Sequence, residues 1–327
     1  MDKLTMKNVY VTRCIPQVGI DLLSQHFHVR SNQQPRKLTR QELLDGIKGV
    51  DGVLTSGTDK IDAELMDLNP GIRCFSNYAV GFDNMDVAAA TQRRVLCTNT
   101  PDVLNDSTAE MAWALLMAVA RRVVESDRIM RTRQWTGWEP QEFLGGDITG
   151  KTLGIIGAGR IGTSIAMKSR GFDMQILYSG RRNNSELDAK LNARFVDMDT
   201  LLQSSDFVSL SVALNAQTYH LIGARELALM KPTAYLINTA RGPVVDEAAL
   251  VQALKSKQIA GAGLDVYEFE PDMVEGLELL ENTVLTTHIG SATYATRNAM
   301  AVKAATNLIA ALKGEMPPDC LNPQVFD

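Results

Sequence analysis

The chain has 327 residues, 45% of them hydrophobic and 22% charged, with a formal net charge of −5. That length is too great for one ordinary core and suits two globular domains. The negative balance argues against nucleic acid as a main partner, and no run approaches the about 18 unbroken apolar residues of a membrane span.

The N-terminus, MDKLTMKNVYVTR, is polar and runs straight into a strand pattern. It has no apolar core of a signal peptide, which predicts a cytoplasmic location. Strand-like runs follow at 8–13, 28–31, 50–56, 72–76 and 95–99, with helix-like runs between them such as 19–27, 39–47 and 86–93. This alternation predicts parallel strands joined by crossover helices, and five such strands suit a flavodoxin-like sheet. A long apolar helix is expected over 107–130. Ala109, Trp113, Leu116, Ala120 and Val124 keep helical spacing, and apolar residues cover more than one face. Residues 134–150, rich in Gly, Trp and Pro, read as a loop. A second alternating series then begins, with strands at 152–156, 175–179, 207–212, 234–238, 260–266 and 283–287. The stretch 292–312 closes the pattern as a helix with no strand after it.

The strand at 152–156 leads into Gly157-Ala158-Gly159-Arg160-Ile161-Gly162 and then a helix. A buried strand before and a helix after are the context that a dinucleotide fingerprint requires. Gly157 allows the tight turn, Gly159 lets backbone approach a pyrophosphate, and Gly162 lets the helix pack on the strand. The helix N-terminus offers unpaired N–H groups to the anion. The alternative is a tight turn that binds nothing. About 20 residues further on, an NAD site places an acid on the ribose hydroxyl. Here Tyr178-Ser179-Gly180-Arg181-Arg182 puts Ser179 at that position, followed by two arginines. A 2′-phosphate would be repelled by a carboxylate and bound by guanidinium, so the cofactor is predicted to be NADPH over NADH. Solvated loop charges are the other reading of Arg181 and Arg182.

Ligands of open α/β sheets bind beyond the carboxyl ends of the strands. Three groups stand there: Arg241 after 234–238, Glu270 after 260–266, and His288 at the end of 283–287. Hydride arriving at a ketone carbon puts charge on its oxygen, and an imidazolium is a suitable proton donor. A carboxylate nearby favours the charged imidazole, and arginine can grip a substrate carboxylate or polarise the carbonyl. His288 is therefore the candidate acid, Glu270 its partner and Arg241 the electrophilic clamp. Taken singly, each is as readily a hydrogen-bonding or loop residue.

Together with Asn77–Asn84, Thr98-Asn99-Thr100-Pro101, Asn238–Gly242, Gly263–Pro271 and Thr287–Ser291, these residues make the chain resemble the D-2-hydroxyacid dehydrogenases over nearly its whole length. Within that family it is most similar to bacterial glyoxylate/hydroxypyruvate reductases of the 2-ketogluconate reductase type. Tyr178–Arg182, Ala120–Glu125 and the ending Cys320-Leu321-Asn322-Pro323 support this. The resemblance implies an α/β fold of two Rossmann-like or flavodoxin-like parallel-sheet domains with an active-site cleft between them. A substrate-binding domain would take residues 1–104 and 291–327, and an inserted NADP-binding domain residues 105–290. It implies NADPH-dependent reduction of a small 2-oxo acid, with Arg241, Glu270 and His288 matching the catalytic set. Cofactor contacts would come from Gly157, Gly159, Arg160, Ile161, Gly162, Ser179, Arg181, Arg182, Ala213, Thr218, Thr239, Asp265, Thr108 and Gly290. Substrate contacts would come from Ser56, the backbone of Val80 and Gly81, Arg241, and Trp138. The other reading of Trp138 is an ordinary buried aromatic in a loop. It further implies a homodimer joined through the nucleotide domains. Asp102, Ala213 and Thr287 depart from the Gly, Pro and Pro that are common in relatives, and none removes a reacting group.

Competing readings are an NAD-dependent relative of the phosphoglycerate type, a formate dehydrogenase and a dinucleotide-sensing corepressor on the same fold. Ser179 counts against the first, and Glu270, where glutamine is the family's expectation, against the second. His26, His28 and His220, the last placed at a helix start, are read as structural. Cys14, Cys74, Cys97 and Cys320 are read as small apolar residues in a reducing compartment, with no zinc spacing among them.

Overall fold

The computed structural model describes residues 6–326; the first five residues of the polar N-terminal run and residue 327 lie outside the described residues. The elements are, in order, β1 (Asn8–Val11), α1 (Gln17–Ser24), β2 (His28–Ser31), α2 (Arg40–Gly46), β3 (Gly52–Ser56), α3 (Ala63–Asp67), β4 (Cys74–Tyr78), α4 (Val87–Gln92) and β5 (Leu96–Thr98). There follow α5 (Asn105–Ala120), α6 (Val123–Arg131), β6 (Thr152–Ile156), α7 (Arg160–Lys168), β7 (Gln175–Ser179), α8 (Ser185–Leu191), β8 (Arg194–Phe195), α9 (Met198–Ser204) and β9 (Phe207–Leu210). The chain ends with α10 (Ala224–Leu229), β10 (Tyr235–Asn238), α11 (Glu247–Lys255), β11 (Gly261–Leu264), β12 (Thr283–Leu285) and α12 (Tyr294–Lys313). Among the described residues, no helix is long and apolar enough to cross a membrane.

Two compact units result: one runs to Leu104 and resumes at Ser291, and the other spans Asn105–Gly290. The first holds a five-stranded parallel sheet in the order β2-β1-β3-β4-β5, as the flavodoxin-like reading expects. Every residue of β4 is buried, the pattern of a parallel strand covered on both faces. The C-terminal α12 belongs to this unit. A β-carbon on Gly19 of α1 would lie 2.9 Å from Ala301 Cβ, and Ser76 of β4 donates to the Ala304 carbonyl at 2.8 Å. Asp102 has φ +72°, a left-handed value that favours glycine.

The second unit holds a seven-stranded parallel sheet, ordered β12-β11-β10-β9-β6-β7-β8. The direction of winding reverses between β6 and β9, the switch point at which doubly wound sheets bind their ligands. Strands β9 and β11 are buried throughout. The two-residue β8 was not visible in the sequence; it is an exposed edge strand, too short to carry a pattern.

One correction concerns the helix expected over 107–130. It is two helices, with Arg122 in the left-handed region at φ +52° between them. The Ala120 carbonyl, orphaned at the end of α5, accepts from Gly146 N–H at 2.9 Å. The returning chain runs so close that a β-carbon on Gly145 would lie 2.2 Å from the same oxygen. Helix α5 buries nine of its residues, whereas α6 buries none. The cysteines also differ from expectation: all are free thiols and Cys74 and Cys97 are buried, but Cys14 is exposed and Cys320 half-buried.

Candidate active site

In the second unit, Gly157 turns the chain out of β6 with φ +96° and donates to the Ser179 carbonyl at 2.9 Å, so the turn is tied to the end of β7. A β-carbon on Gly162 would lie 2.2 Å from the Gly157 carbonyl oxygen, and one on Gly157 would lie 2.7 Å from that of Ser211. Nothing lies within 4 Å of the equivalent point on Gly159, the N-cap of α7. The three glycines thus meet three different demands: positive φ, open space and close helix packing.

Beyond β9 and β10, the hydroxyls of Ser211 and Thr239 are buried and have no hydrogen-bond partner among the described residues. Orphaned buried hydroxyls beside the switch point fit a ligand that supplies their partner. A dinucleotide would be held here by the Gly157–Gly162 turn, Arg160 and Ile161 at the start of α7, and the loops after β7, β9 and β10. Thr218 Oγ1 donates to the Ala213 carbonyl at 2.7 Å and accepts from Asn215 N–H at 2.9 Å, so the loop after β9 is closed on itself. Arg181 and Arg182 are exposed on the loop after β7. That loop is pinned at its far end, where Asn184 Nδ2 donates to the Ala158 carbonyl at 2.9 Å and to Thr163 Oγ1 at 2.8 Å. Asp188, an acid of this segment, accepts from the Tyr178 hydroxyl at 2.7 Å.

Arg241, Glu270 and His288 come together at the carboxyl ends of β10, β11 and β12. Asn238, 1% exposed, folds the first of these loops: its Nδ2 donates to the Arg241 carbonyl and its Oδ1 accepts from Ala240 N–H, both at 3.0 Å. Gly242 then presses on the backbone of Tyr267, where a β-carbon would lie 1.8 Å from the carbonyl carbon. Only glycine permits that contact, which locks the Arg241 loop against the Glu270 loop. Glu270 Oε1 accepts from Tyr267 N–H at 3.1 Å, and Oε2 lies 3.0 Å from His288 Nδ1. The Glu270–Pro271 peptide is cis. Burial pushes the Glu270 carboxyl up. His288, the Tyr267 N–H and the Arg241 charge outweigh it and hold the group below the ordinary glutamate range. Glu270 is therefore ionised at neutral pH.

His288 adopts φ +54°, an unfavourable value for a side chain of its size. The carboxylate of Asp265, 1% exposed, holds the segment in place. It accepts from the Thr286 hydroxyl at 2.7 Å, Ile289 N–H at 2.8 Å and Gly290 N–H at 2.7 Å. Thr108, buried in α5, lies against Gly290. The family resemblance assigned Asp265 to the cofactor; its part in shaping the His288 loop was not legible in the sequence. Nor was the arrangement of His220, which is in a turn rather than at a helix start, has φ +49°, and places Nε2 2.7 Å from Glu268 Oε1.

In the first unit, Ser56 ends β3, with its hydroxyl 2.9 Å from that of Thr58. Val80 and Gly81 follow the neighbouring β4, their carbonyls held at 2.8 Å by Asn99 and Asn77. Trp138 is 79% exposed in the 134–150 loop, so the buried-aromatic reading of it does not hold.

Residues 113–290 match the profile of the NAD binding domain of the D-isomer specific 2-hydroxyacid dehydrogenases. The chain is 50% identical over 321 residues to a glyoxylate reductase of Thermococcus gammatolerans, covering 97% of this chain and 96% of that protein. Among solved structures, a glyoxylate reductase from Paecilomyes thermophila superposes with a TM-score of 0.86 at 34% identity, over 98% of this chain and all (100%) of that one. An NADPH-dependent glyoxylate/hydroxypyruvate reductase from Sinorhizobium meliloti, solved with NADP and malonate, gives 0.86 at 31% identity over 98% of each chain. The chain belongs to the D-isomer specific 2-hydroxyacid dehydrogenase family.

Proposed function

We propose that this oxidoreductase reduces glyoxylate, hydroxypyruvate or a 2-ketoaldonate such as 2-ketogluconate to the 2-hydroxy acid, with NADPH as the preferred donor. The observation that carries the reading is the His288–Glu270 pair at 3.0 Å, set beside Arg241 at the carboxyl edge of a dinucleotide-type sheet. A bound reduced nicotinamide supplies the hydride. The chain supplies the rest: His288 donates the proton to the carbonyl oxygen, and ionised Glu270 orients the imidazole and favours its charged form. Arg241 neutralises the substrate carboxylate or the developing oxyanion. Ser56 and the backbone of Val80 and Gly81 make further substrate contacts. The named activities of the relatives support this substrate class.

The NADPH preference rests on Ser179 in place of an acid and on Arg181 and Arg182 exposed on a pinned loop. The protein further acts as a homodimer through the nucleotide-binding unit. Val123 (52% exposed), Met130 and Trp135 on α6 and the loop after it are apolar side chains that a monomer leaves in water, and Trp138 approaches the partner's substrate site. Sedimentation as a monomer refutes that part. The main test is cofactor oxidation, followed by the absorbance of the reduced nicotinamide, with each of the three substrates and with NADPH or NADH. Turnover with at least one substrate is expected, with kcat/KM at least about tenfold higher for NADPH. No turnover at high enzyme concentration refutes the activity and favours a dinucleotide-sensing role. Equal use of NADH, or a preference for it, refutes the cofactor assignment.

A further inference from the structure

Glu247, the first residue of α11, is 2% exposed and carries a carboxylate that no expected role uses. Its Oε1 accepts from Glu268 N–H at 2.6 Å and its Oε2 from Val274 N–H at 3.0 Å. These two amides stand on either side of Glu270. In return, Glu268 Oε2 accepts from Glu247 N–H at 3.3 Å, while Glu268 Oε1 meets His220. One buried side chain thus spans the base of the loop that presents Glu270. Burial pushes the Glu247 carboxyl up, the two amides draw it down, and the nearby Glu268 and Glu270 charges push it up again, leaving it above the ordinary value.

We propose that Glu247 is a positioning residue for the reaction: by clasping Glu268 and Val274 it sets where the Glu270 carboxylate meets His288. This rests on the reading of Glu270 as the working partner of His288. The competing account is a buried acid that satisfies two backbone N–H groups and contributes stability alone.

The two accounts separate in a double-mutant cycle. Glu247→Gln keeps one accepting oxygen and turns an NH2 group toward the other amide, so one end of the clasp opens. kcat, KM for NADPH and for the best 2-oxo acid of the panel, and Tm are measured for wild type, Glu247→Gln, Glu270→Gln and the double variant. Glu247→Gln should lower kcat about tenfold and leave KM for NADPH within about twofold. The double variant should be no slower than Glu270→Gln alone, because a carboxylate that has been removed has no position to lose. Losses in kcat that multiply, or a lowered Tm with kcat unchanged, overturn the inference. Glu247→Asp, still charged but a methylene shorter, enters the same cycle if the Gln variant does not fold. Wild type without turnover, or Glu270→Gln with wild-type kcat, overturns the underlying reading. Slow Glu270→Gln with multiplying losses overturns the role of Glu247 alone.

Discussion

Gly242→Ala tests the arrangement of the site through a single methyl group. The added β-carbon would lie 1.8 Å from the carbonyl carbon of Tyr267, 1.9 Å from its oxygen and 2.4 Å from Glu268 N. All three are backbone atoms, so no side-chain rotation relieves the overlap. Ordinary contact begins near 3.4 Å. The Arg241 and Glu270 loops must therefore separate by roughly 1.5 Å. Tyr267 N–H binds Glu270 Oε1 and Glu268 N–H binds Glu247, so the displacement passes directly to the Glu270 carboxylate. Overpacking of this kind costs about 1–3 kcal/mol, a fraction of the about 5–15 kcal/mol that holds a domain together, and the variant should fold. A misplacement of about 1 Å at reacting groups costs about 100-fold in rate, so kcat should fall by at least that factor. The assay is NADPH oxidation with the preferred 2-oxo acid, with Tm and NADPH affinity as controls. A folded variant with normal NADPH affinity and kcat within about threefold of wild type would show that the two loops do not act as one rigid body.

Two other outcomes follow from the same geometry. His288→Gln keeps a hydrogen-bonding group of similar reach but cannot give up a proton to substrate; kcat should fall about 100-fold or more with NADPH affinity unchanged, and a loss of only a few-fold removes His288 as the acid. Asp206 accepts from Thr152 N–H at 2.9 Å and meets Lys231 Nζ at 2.8 Å. Burial pushes its carboxyl up, and Lys231 and the amide outweigh that and hold it below the usual 3.8. Its stabilisation is therefore present above that value and lost as pH falls through the lower folded one. With Lys231 partly exposed and screened, Asp206→Asn should cost about 1 kcal/mol at neutral pH. In urea melts that gap should close under acid conditions, and a gap that does not vary with pH contradicts the assignment.

How much of this could be read in the sequence depended on whether the cause was local. The Gly157–Gly162 turn was legible because a positive φ, an open N-cap and a helix against a strand each leave a glycine at a fixed spacing. Arg241, Glu270 and His288 were legible because each lies in the loop that follows a strand, three to six residues beyond its end, and in a parallel sheet such ends share one edge. The break between α5 and α6 was not. Both flanks have helical composition, and its cause, Gly146 N–H on the Ala120 carbonyl, comes from a loop far along the chain. Glu247 was hidden for a related reason. An acid in the first turn of a helix is the ordinary complement of the helix dipole, and nothing in its neighbours marks it as buried under the loop that follows the next strand. Thr239 was reached through the family resemblance, but Ser211 has no local signature at all; only its lack of a partner among the described residues marks it.

The same physical device occurs twice around the His288–Glu270 pair, and its logic explains which groups are exposed. Both members of the pair are partly open to solvent, with 46% of the His288 side chain and 29% of that of Glu270 accessible, as a proton donor and its partner must be to meet a substrate. Exposed side chains on loops are poorly held, and His288 also carries a left-handed backbone. Each loop is instead fixed from beneath by a buried carboxylate outside the pair. Asp265 gathers the Thr286 hydroxyl and the Ile289 and Gly290 amides under His288, and Glu247 gathers the Glu268 and Val274 amides under Glu270. Charge-assisted bonds from backbone N–H groups are stronger than neutral ones and gain further in a low-dielectric interior. The cost of burying two carboxylates is thus converted into fixed positions for two accessible groups. A neutral amide at either position would halve the accepting oxygens. For that reason the sensitivity of kcat to Glu247, with binding unchanged, is the outcome on which this account of the site depends.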